Sequence, residues 1–195
     1  EALHASPSAE LFRAVSFQVA SVISTTGFMT YDYTHFLPAS QVVIIALFFI
    51  GGCSGSTAGG IKVVRWSVLA KQFANEIRRL VHPHGVFALR LNGITARDSV
   101  VPTVAAFMFA YLMLVLITAV FGGLCGLDTE TSFSASLSMM GNIGPAFGSL
   151  GPTSNYGDIP TLLKWWYMVA MLAGRLEIYT LLILLGCFMK SRKTA

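Results

Sequence analysis

Charged side chains are scarce in this sequence. It has 13 lysines and arginines and 9 aspartates and glutamates among 195 residues, or 11%, whereas a soluble domain carries about 25%. Hydrophobic residues make up 54%, and the mean hydropathy is +0.68. This composition disfavours a soluble enzyme, a disordered tail and a nucleic-acid-binding domain, so no nucleic-acid partner is expected.

Cysteines are few as well, and so are sets of side chains that could act together in catalysis. Cys53, Cys125 and Cys187 are an odd number in apolar or glycine-rich surroundings, which favours buried reduced thiols over disulfides or metal ligands. His82 and His84 flank a proline without further ligands nearby, and we interpret them as connector residues. No Ser/His/Asp or Cys/His set is available for catalysis, so we expect neither an enzyme nor a covalently bound cofactor.

Apolar segments of two lengths follow one another along the chain. Segment 98–124 has no internal charge after its first residue and is long enough to span a membrane, and 161–189 is a second long segment. Helices predicted at 11–24 and 131–140 would rise only about 21 Å and 15 Å, too short for a hydrocarbon core of about 30 Å. The chain lacks an initial Met and a signal peptide, and we expect it to be part of a longer protein.

Lysine and arginine placement predicts the orientation. Segment 62–97 has seven of these residues and the C-terminal tail three more, whereas 29–35 and 126–160 have none and carry four acids. By the positive-inside rule the basic segments are cytoplasmic and the acidic loops face outside.

Each short helix is followed by a glycine-containing tetrapeptide, at 25–28 and at 142–145. Non-helical backbone at membrane depth is costly unless it lines a cavity, which indicates a pore. Helix C-termini and neutral carbonyl oxygens suit a monovalent cation there, and glycines allow the carbonyls to turn inward. The alternative is ordinary loops that cap interfacial helices. The candidate filter residues are Thr25, Thr26, Gly27, Asn142, Ile143 and Gly144.

A glycine-rich loop follows the apolar segment 36–50 and precedes 61–75, where helical character resumes with Lys62, Arg65 and Lys71. The decapeptide 51–60 contains five glycines, and it does not match a phosphate-binding loop because Ile61 separates Gly60 from Lys62. We interpret it as a movable intramembrane gate below the filter, and a flexible kink is the alternative. The candidate gate residues are Gly51, Gly52, Ser54, Gly55, Ser56, Thr57, Gly59, Gly60 and Arg175.

Arg175 lies between Lys164 and Lys190, near the middle of the last apolar segment. Charges at membrane depth usually face a cavity and have a function. Arg175 could hold the glycine-rich loop closed by donating to its carbonyls. A purely structural pair between Arg175 and a carboxylate, with Glu177 as one candidate, stays open.

Several motifs together resemble one family. Ser24–Phe28 with 51–62, Asn142–Pro145 with Gly174–Thr180, and the connector motifs His82-Pro83 and Arg90–Gly93 resemble TrkH-type potassium uptake proteins. The resemblance implies an all-α membrane protein built from M1–pore-helix–M2 repeats. Residues 1–75 would be a third repeat lacking M1, 76–97 a cytoplasmic basic connector and 98–195 a fourth repeat, with M1 at 98–124 and M2 at 161–189.

The resemblance also implies partners. These would be the N-terminal half of the same protein, membrane lipid, a second copy in a homodimer, and a cytoplasmic TrkA-type regulatory subunit that binds ATP, ADP or NAD. The location would be the bacterial inner membrane, with several spans, and potassium the ion carried. The alternatives are a potassium-binding subunit of an ATP-driven pump, a membrane-embedded enzyme using Arg175 and Glu177, and a non-conducting membrane scaffold.

Overall fold

The computed structural model describes residues 8–82, 85, 89–91, 94–95, 97 and 99–176. Glu177, His84, Cys187 and the rest of the predicted segment 161–189 beyond Leu176 lie outside the described residues. Six α-helices form in the described part: α1 Ser8–Ile23, α2 Pro38–Phe48, α3 Val63–Val81, α4 Val100–Leu124, α5 Thr129–Gly141 and α6 Thr161–Arg175. Short 3-10 helices lie at Tyr33–His35 and Gly148–Leu150.

Four short strands form two sheets. β1 (Ile50–Gly51) pairs in parallel with β2 (Ile61–Lys62), which closes the neck of the glycine-rich loop. β3 (Arg90–Leu91) pairs antiparallel with β4 (Ile94–Thr95).

α4 is the one described helix that is long and apolar enough to cross a membrane, with 25 residues and no charge. Pro102 is its third residue, where the amide has no intrahelical acceptor to lose. Many large apolar side chains of α4 are exposed, as expected of a helix that faces lipid or further protein. Examples are Phe109, Leu112, Leu116, Ile117 and Val120.

α5 lies at the centre of the second half of the chain. It packs against α4 and α6, and every residue from Thr131 to Gly141 except Phe133 is buried. The Asp128 carboxylate caps its N-terminus by accepting from the Thr131 amide at 3.1 Å. Hydrogen bonds from the side chain and backbone of Thr131 lower the pKa of Asp128, so the cap stays charged at neutral pH.

α3 continues to Val81, into the segment that the sequence predicted as connector from residue 76. Side-chain pairs support this extension: the Gln72 amide donates to Glu76 at 2.6 Å, and Arg79 approaches the same carboxylate at 3.2 Å. Arg78 and Arg79 also lie in the last turn, where positive charge is favourable. The helix therefore continues through the polar residues after position 75, where the sequence predicted that the connector begins.

Cys53 corrects the expectation of buried thiols. It is exposed, because it lies at the crown of the glycine-rich loop, whereas Cys125 is half-buried near the end of α4.

Tyr33 joins the two halves of the chain. Its hydroxyl donates to the carbonyl of Ala146 at 2.7 Å, and its ring lies 4.7 Å from that of Phe147. Both Tyr33 and Ala146 are fully buried. The loops that follow the two short helices α1 and α5 are therefore packed side by side.

We expect Tyr33→Phe to lower the free energy of unfolding by about 1–3 kcal/mol, because it leaves the buried Ala146 carbonyl without its donor. Thermal unfolding in detergent would measure the loss. Tyr31→Phe is the control, since the Tyr31 hydroxyl makes no hydrogen bond to the described part of the chain. Equal losses in the two variants would contradict the assignment.

Candidate functional site

The segments that follow α1 and α5 have the same backbone conformation. Thr25 and Asn142 are the two non-glycine residues with positive φ among the described residues, at 53° and 56°. Two residues later, Gly27 and Gly144 also have positive φ, at 76° and 108°. Such conformations are rare for residues other than glycine, so two copies at matching positions are a true repeat of structure.

The hydrogen bonds that end the two helices match as well. After α1, the amide of Thr25 donates to Val22 at 3.1 Å and that of Thr26 to Ser21 at 3.0 Å. After α5, the amide of Asn142 donates to Met139 at 3.1 Å and that of Ile143 to Ser138 at 2.9 Å. Each helix thus ends in the same left-handed cap, and the chain leaves each helix in the same direction.

The two segments touch each other. A Cβ atom on Gly27 would collide with the Ile143 carbonyl oxygen and lie 3.5 Å from Cδ of Pro145. The predicted filter residues of the two halves are therefore brought together as neighbouring walls. Gly27 adopts its positive φ without strain, and the close approach requires glycine there because a side chain would collide with the Ile143 carbonyl.

Three hydroxyls on one face of α5 hold the second segment. Thr131, Ser134 and Ser138 accept hydrogen bonds from the amides of Ser149, Phe147 and Gly144, each at 3.0 Å. We call these three residues the hydroxyl ladder. Because the chain returns antiparallel to α5, three successive points of non-helical backbone find a partner on the helix.

The first segment is held by donors from α1. The Ser21 hydroxyl donates to the Phe28 carbonyl at 2.6 Å, and the Gln18 amide donates to the Tyr31 carbonyl at 2.7 Å. Ser21 and Ser138 occupy the same position relative to their segments, yet one donates and the other accepts.

The glycine-rich loop reaches the base of the second segment. A Cβ atom on Gly59 would lie 2.5 Å from the Gly141 carbonyl oxygen and 2.9 Å from Nδ2 of Asn142. Gly51, Gly59 and Gly60 are buried, whereas Cys53, Ser54, Gly55 and Thr57 are exposed. The neck of the loop thus lies against the filter segment and the crown faces away.

The Asn142 side chain connects this contact to α6. Its Nδ2 donates to the Met171 carbonyl at 3.0 Å, and a Cβ atom on Gly174 would lie 3.1 Å from the same nitrogen. A Cβ on Gly174 would also collide with the Met140 carbonyl oxygen. The loop, the filter segment and the end of α6 therefore meet at Asn142.

Arg175 ends α6 directly after this contact, and its side chain is exposed. Within the described residues the structure gives it no hydrogen bond or ion pair. The side chain that donates to carbonyls of the glycine-rich loop is Lys62, with Nζ 3.1 Å from the Ser54 oxygen and 3.4 Å from the Ser56 oxygen. Sequence reasoning counted Lys62 among the basic residues and within the motif 51–62 but gave it no role in the gate, and its position two residues after the last loop glycine was the available signal.

Asp32 lies in the loop that follows the first segment. Burial alone would raise the pKa of Asp32, but hydrogen bonds from the hydroxyl and amide of Thr34 outweigh it and hold the pKa below its ordinary value. Asp32 also accepts from the Thr153 hydroxyl at 3.3 Å. A negative charge is therefore fixed between the two outer loops at neutral pH.

Two half-length helices that end in adjoining left-handed segments, beside a membrane-length helix, define a helical membrane protein of the pore-helix class. The chain belongs to the TrkH family, because the family model described as a cation transport protein matches residues 2–194. This confirms the family and the all-α membrane fold that the motifs predicted.

Similar proteins and a solved structure support this family assignment. The Trk system potassium uptake protein TrkI of Halomonas elongata is 40% identical over 172 residues, which are 88% of this chain and 35% of the relative. TrkH of Vibrio parahaemolyticus is 42% identical over 176 residues, 90% of this chain and 35% of the relative. The crystal structure of the potassium transporter TrkH from that organism aligns with a TM-score of 0.82 at 38% identity, covering 91% of this chain and 37% of the other. The chain spans about a third of the length of these relatives.

Comparison of Gly27→Ala with Gly144→Ala distinguishes backbone strain at positive φ from a steric clash of the new Cβ atom with the neighbouring segment. Both residues have positive φ, so each alanine should cost at least about 1 kcal/mol of stability. Only Gly27 has a neighbour within 4 Å of its Cβ position, so Gly27→Ala should cost clearly more, at least about 2 kcal/mol. Thermal unfolding would compare them with Gly55→Ala, where the position is open and φ is ordinary. A larger loss for Gly144→Ala would be evidence against adjoining segments.

Ser138→Ala tests the hydroxyl ladder. The substitution leaves the Gly144 amide without its acceptor and should cost about 1–3 kcal/mol. Ser136→Ala is a matched control, because Ser136 is equally buried but bonds only back to its own helix, to the Ser132 carbonyl at 2.6 Å. We expect the control to lose less than about 0.5 kcal/mol in the same unfolding measurement. Equal losses would show that the ladder does not hold the segment.

Proposed function

We propose that this chain forms two of the four pore walls in the potassium-translocating subunit of a Trk-type uptake system. The observation that carries the proposal is the pair of adjoining segments with the same left-handed conformations, each at the C-terminus of a short helix. Successive peptide groups that alternate in this way can turn their carbonyl oxygens to one side and replace the hydration shell of an ion. The names of the relatives, all Trk potassium uptake proteins, support potassium as that ion.

The chemistry of the segments favours a monovalent cation. Neither segment contains an acid, and the described residues hold no group of three or more His, Cys, Asp or Glu that could bind a metal ion. The C-terminal ends of α1 and α5 supply partial negative charge at the segments. Divalent cations usually recruit carboxylates, so neutral carbonyls and helix ends suit potassium better.

The remaining two walls would come from preceding repeats of the same protein, since the relatives are about three times as long as this chain. Exposed apolar side chains on α1 and at the filter leave room for them: Phe12 is 75% exposed and Phe28 is 72% exposed. The assembled protein would be a homodimer in the bacterial inner membrane. The basic end of α3, with Arg78 and Arg79, would face a TrkA-type subunit that binds the regulatory nucleotide.

The glycine-rich loop would be the gate. Its neck contacts the predicted filter segment at Gly59 and Asn142, which would place the loop directly beside the filter base. Arg175, one residue beyond the contact of Gly174 with Met140, would add a positive barrier on the cytoplasmic side. Asn142 thus contacts both the neck of the loop, at Gly59, and the end of α6 that carries Arg175, at Gly174.

Rubidium flux into vesicles that contain the full-length protein tests the proposal. We expect Gly144→Ser to lower rubidium uptake roughly tenfold or to admit sodium, since a side chain at φ 108° strains the segment by about 1–2 kcal/mol. We expect Arg175→Ala to raise the flux. Gly123→Ser is the control, because this glycine lies on the exposed face of α4 with open space around it. Unchanged flux and selectivity in both test variants, with folding intact, would favour the non-conducting scaffold.

A further inference from the structure

The glycine-rich loop is fastened at two separate places. Its neck is closed by backbone bonds: β1 and β2 pair in parallel, and the Val63 amide donates to the Gly52 carbonyl at 3.3 Å. Its crown, residues 53–57, has only one hydrogen bond between its own backbone groups, from the Ser56 amide to the Cys53 carbonyl at 2.9 Å. The crown therefore depends on side chains for a fixed position.

Lys62 supplies that support. It is the second residue of β2, paired with Gly51, so its backbone belongs to the rigid neck. Its ammonium group reaches across the loop to the carbonyl oxygens of Ser54 and Ser56. Hydrogen bonds from an ionised donor are stronger than neutral ones, and an ammonium has three N–H groups to share between acceptors. One side chain thus joins the neck to both ends of the crown.

The same carbonyls are what a passing cation would attract. The loop has small side chains and no acid between residues 51 and 60, so its backbone oxygens are its most polar acceptors. While Lys62 occupies two of them, the crown cannot turn toward the ion path. Arg175, which sequence reasoning favoured for this contact, has no bond to the loop among the described residues.

We propose that Lys62 is the positioning residue that keeps the glycine-rich loop closed, and that the loop opens only when Lys62 releases the Ser54 and Ser56 carbonyls. This inference rests on the proposed gate function of the loop. The loop would move as a hinged crown on a fixed neck, because Gly59 and Gly60 stay packed against Gly141 and Asn142.

Thiol accessibility measures the loop position without any ion flux. The hydroxyl of Ser56 is buried and has no hydrogen-bond partner among the described residues, so Ser56→Cys places a sulfur where it is shielded while the crown is closed. The full-length protein would carry Ser56→Cys with Cys53→Ser, and peptide mass spectrometry would separate maleimide at position 56 from maleimide at Cys125. The ratio of the two labelling rates reports the opening of the loop.

We expect Lys62→Gln to raise the labelling rate at position 56 about tenfold relative to that at Cys125. This corresponds to a decrease of about 1.4 kcal/mol in the free energy that favours the closed loop. Lys62→Arg keeps the charge and the donors and should restore protection. Lys71→Gln is the matched control: Lys71 lies on α3 and donates to the Arg90 carbonyl at 3.0 Å, away from the loop. It should leave the labelling rate unchanged.

The outcomes separate this inference from the proposed function. A folded Lys62→Gln variant with wild-type protection at position 56 overturns the role of Lys62, whatever the flux. If Lys62→Gln does not fold, the Lys62→Arg variant decides the question. Labelling at position 56 well above the wild-type rate in Lys62→Arg would contradict the role of the positive charge, and labelling at the wild-type rate would support that role. Faster labelling together with faster rubidium flux supports both proposals. If labelling is faster but no variant transports rubidium, the result supports Lys62 as the residue that holds the loop closed and contradicts the proposed ion pore.

Discussion

Non-helical backbone inside a membrane protein must find hydrogen-bond partners, and the hydroxyl ladder on α5 meets this requirement for the segment that follows α5, the second predicted filter segment. Water is scarce at that depth, so each amide of the returning chain needs an acceptor within the protein. α5 is polar and yet the most buried helix because its hydroxyls face the backbone that they hold. An apolar pore helix would pack well but would leave the segment unsupported.

Once the amides are held, the conformation of the segment follows. Ser138 fixes the Gly144 amide, and the left-handed cap fixes Asn142 and Ile143, so the carbonyls between them have little freedom. The close contact with Gly27 then sets the position of the first segment. Tyr33 completes the arrangement on the outer side, where its hydroxyl holds the Ala146 carbonyl. The conformation of both predicted filter segments thus depends on these hydrogen bonds and on the contact between the segments.

Patterns along the chain predicted the membrane fold, the two short helices and the break at 51–60, because helix length, glycine content and charge placement are local properties. They did not predict which cation holds the loop. Arg175 drew attention by its depth in an apolar segment, whereas Lys62 directly followed the loop and was counted only with the basic segment 62–97 and the motif 51–62. Only the pairing of β1 with β2 directs the Lys62 side chain across the loop. The serine spacing on α5 was visible, but its partners lie 6 to 18 residues away on a returning chain.

The two predicted filter segments share a backbone conformation but differ in their contacts with the rest of the chain. Pro145 has no backbone N–H to donate, so the second segment depends on the neighbouring amides of Gly144 and Phe147. Both donate to side chains of the hydroxyl ladder. Asn142 adds a bond to α6 and contact with the glycine-rich loop, whereas its counterpart Thr25 has a short side chain without a bond of this kind in the described structure. A displacement of α6 would therefore reach the second segment directly through Asn142, whereas the first segment has no such contact in the described structure.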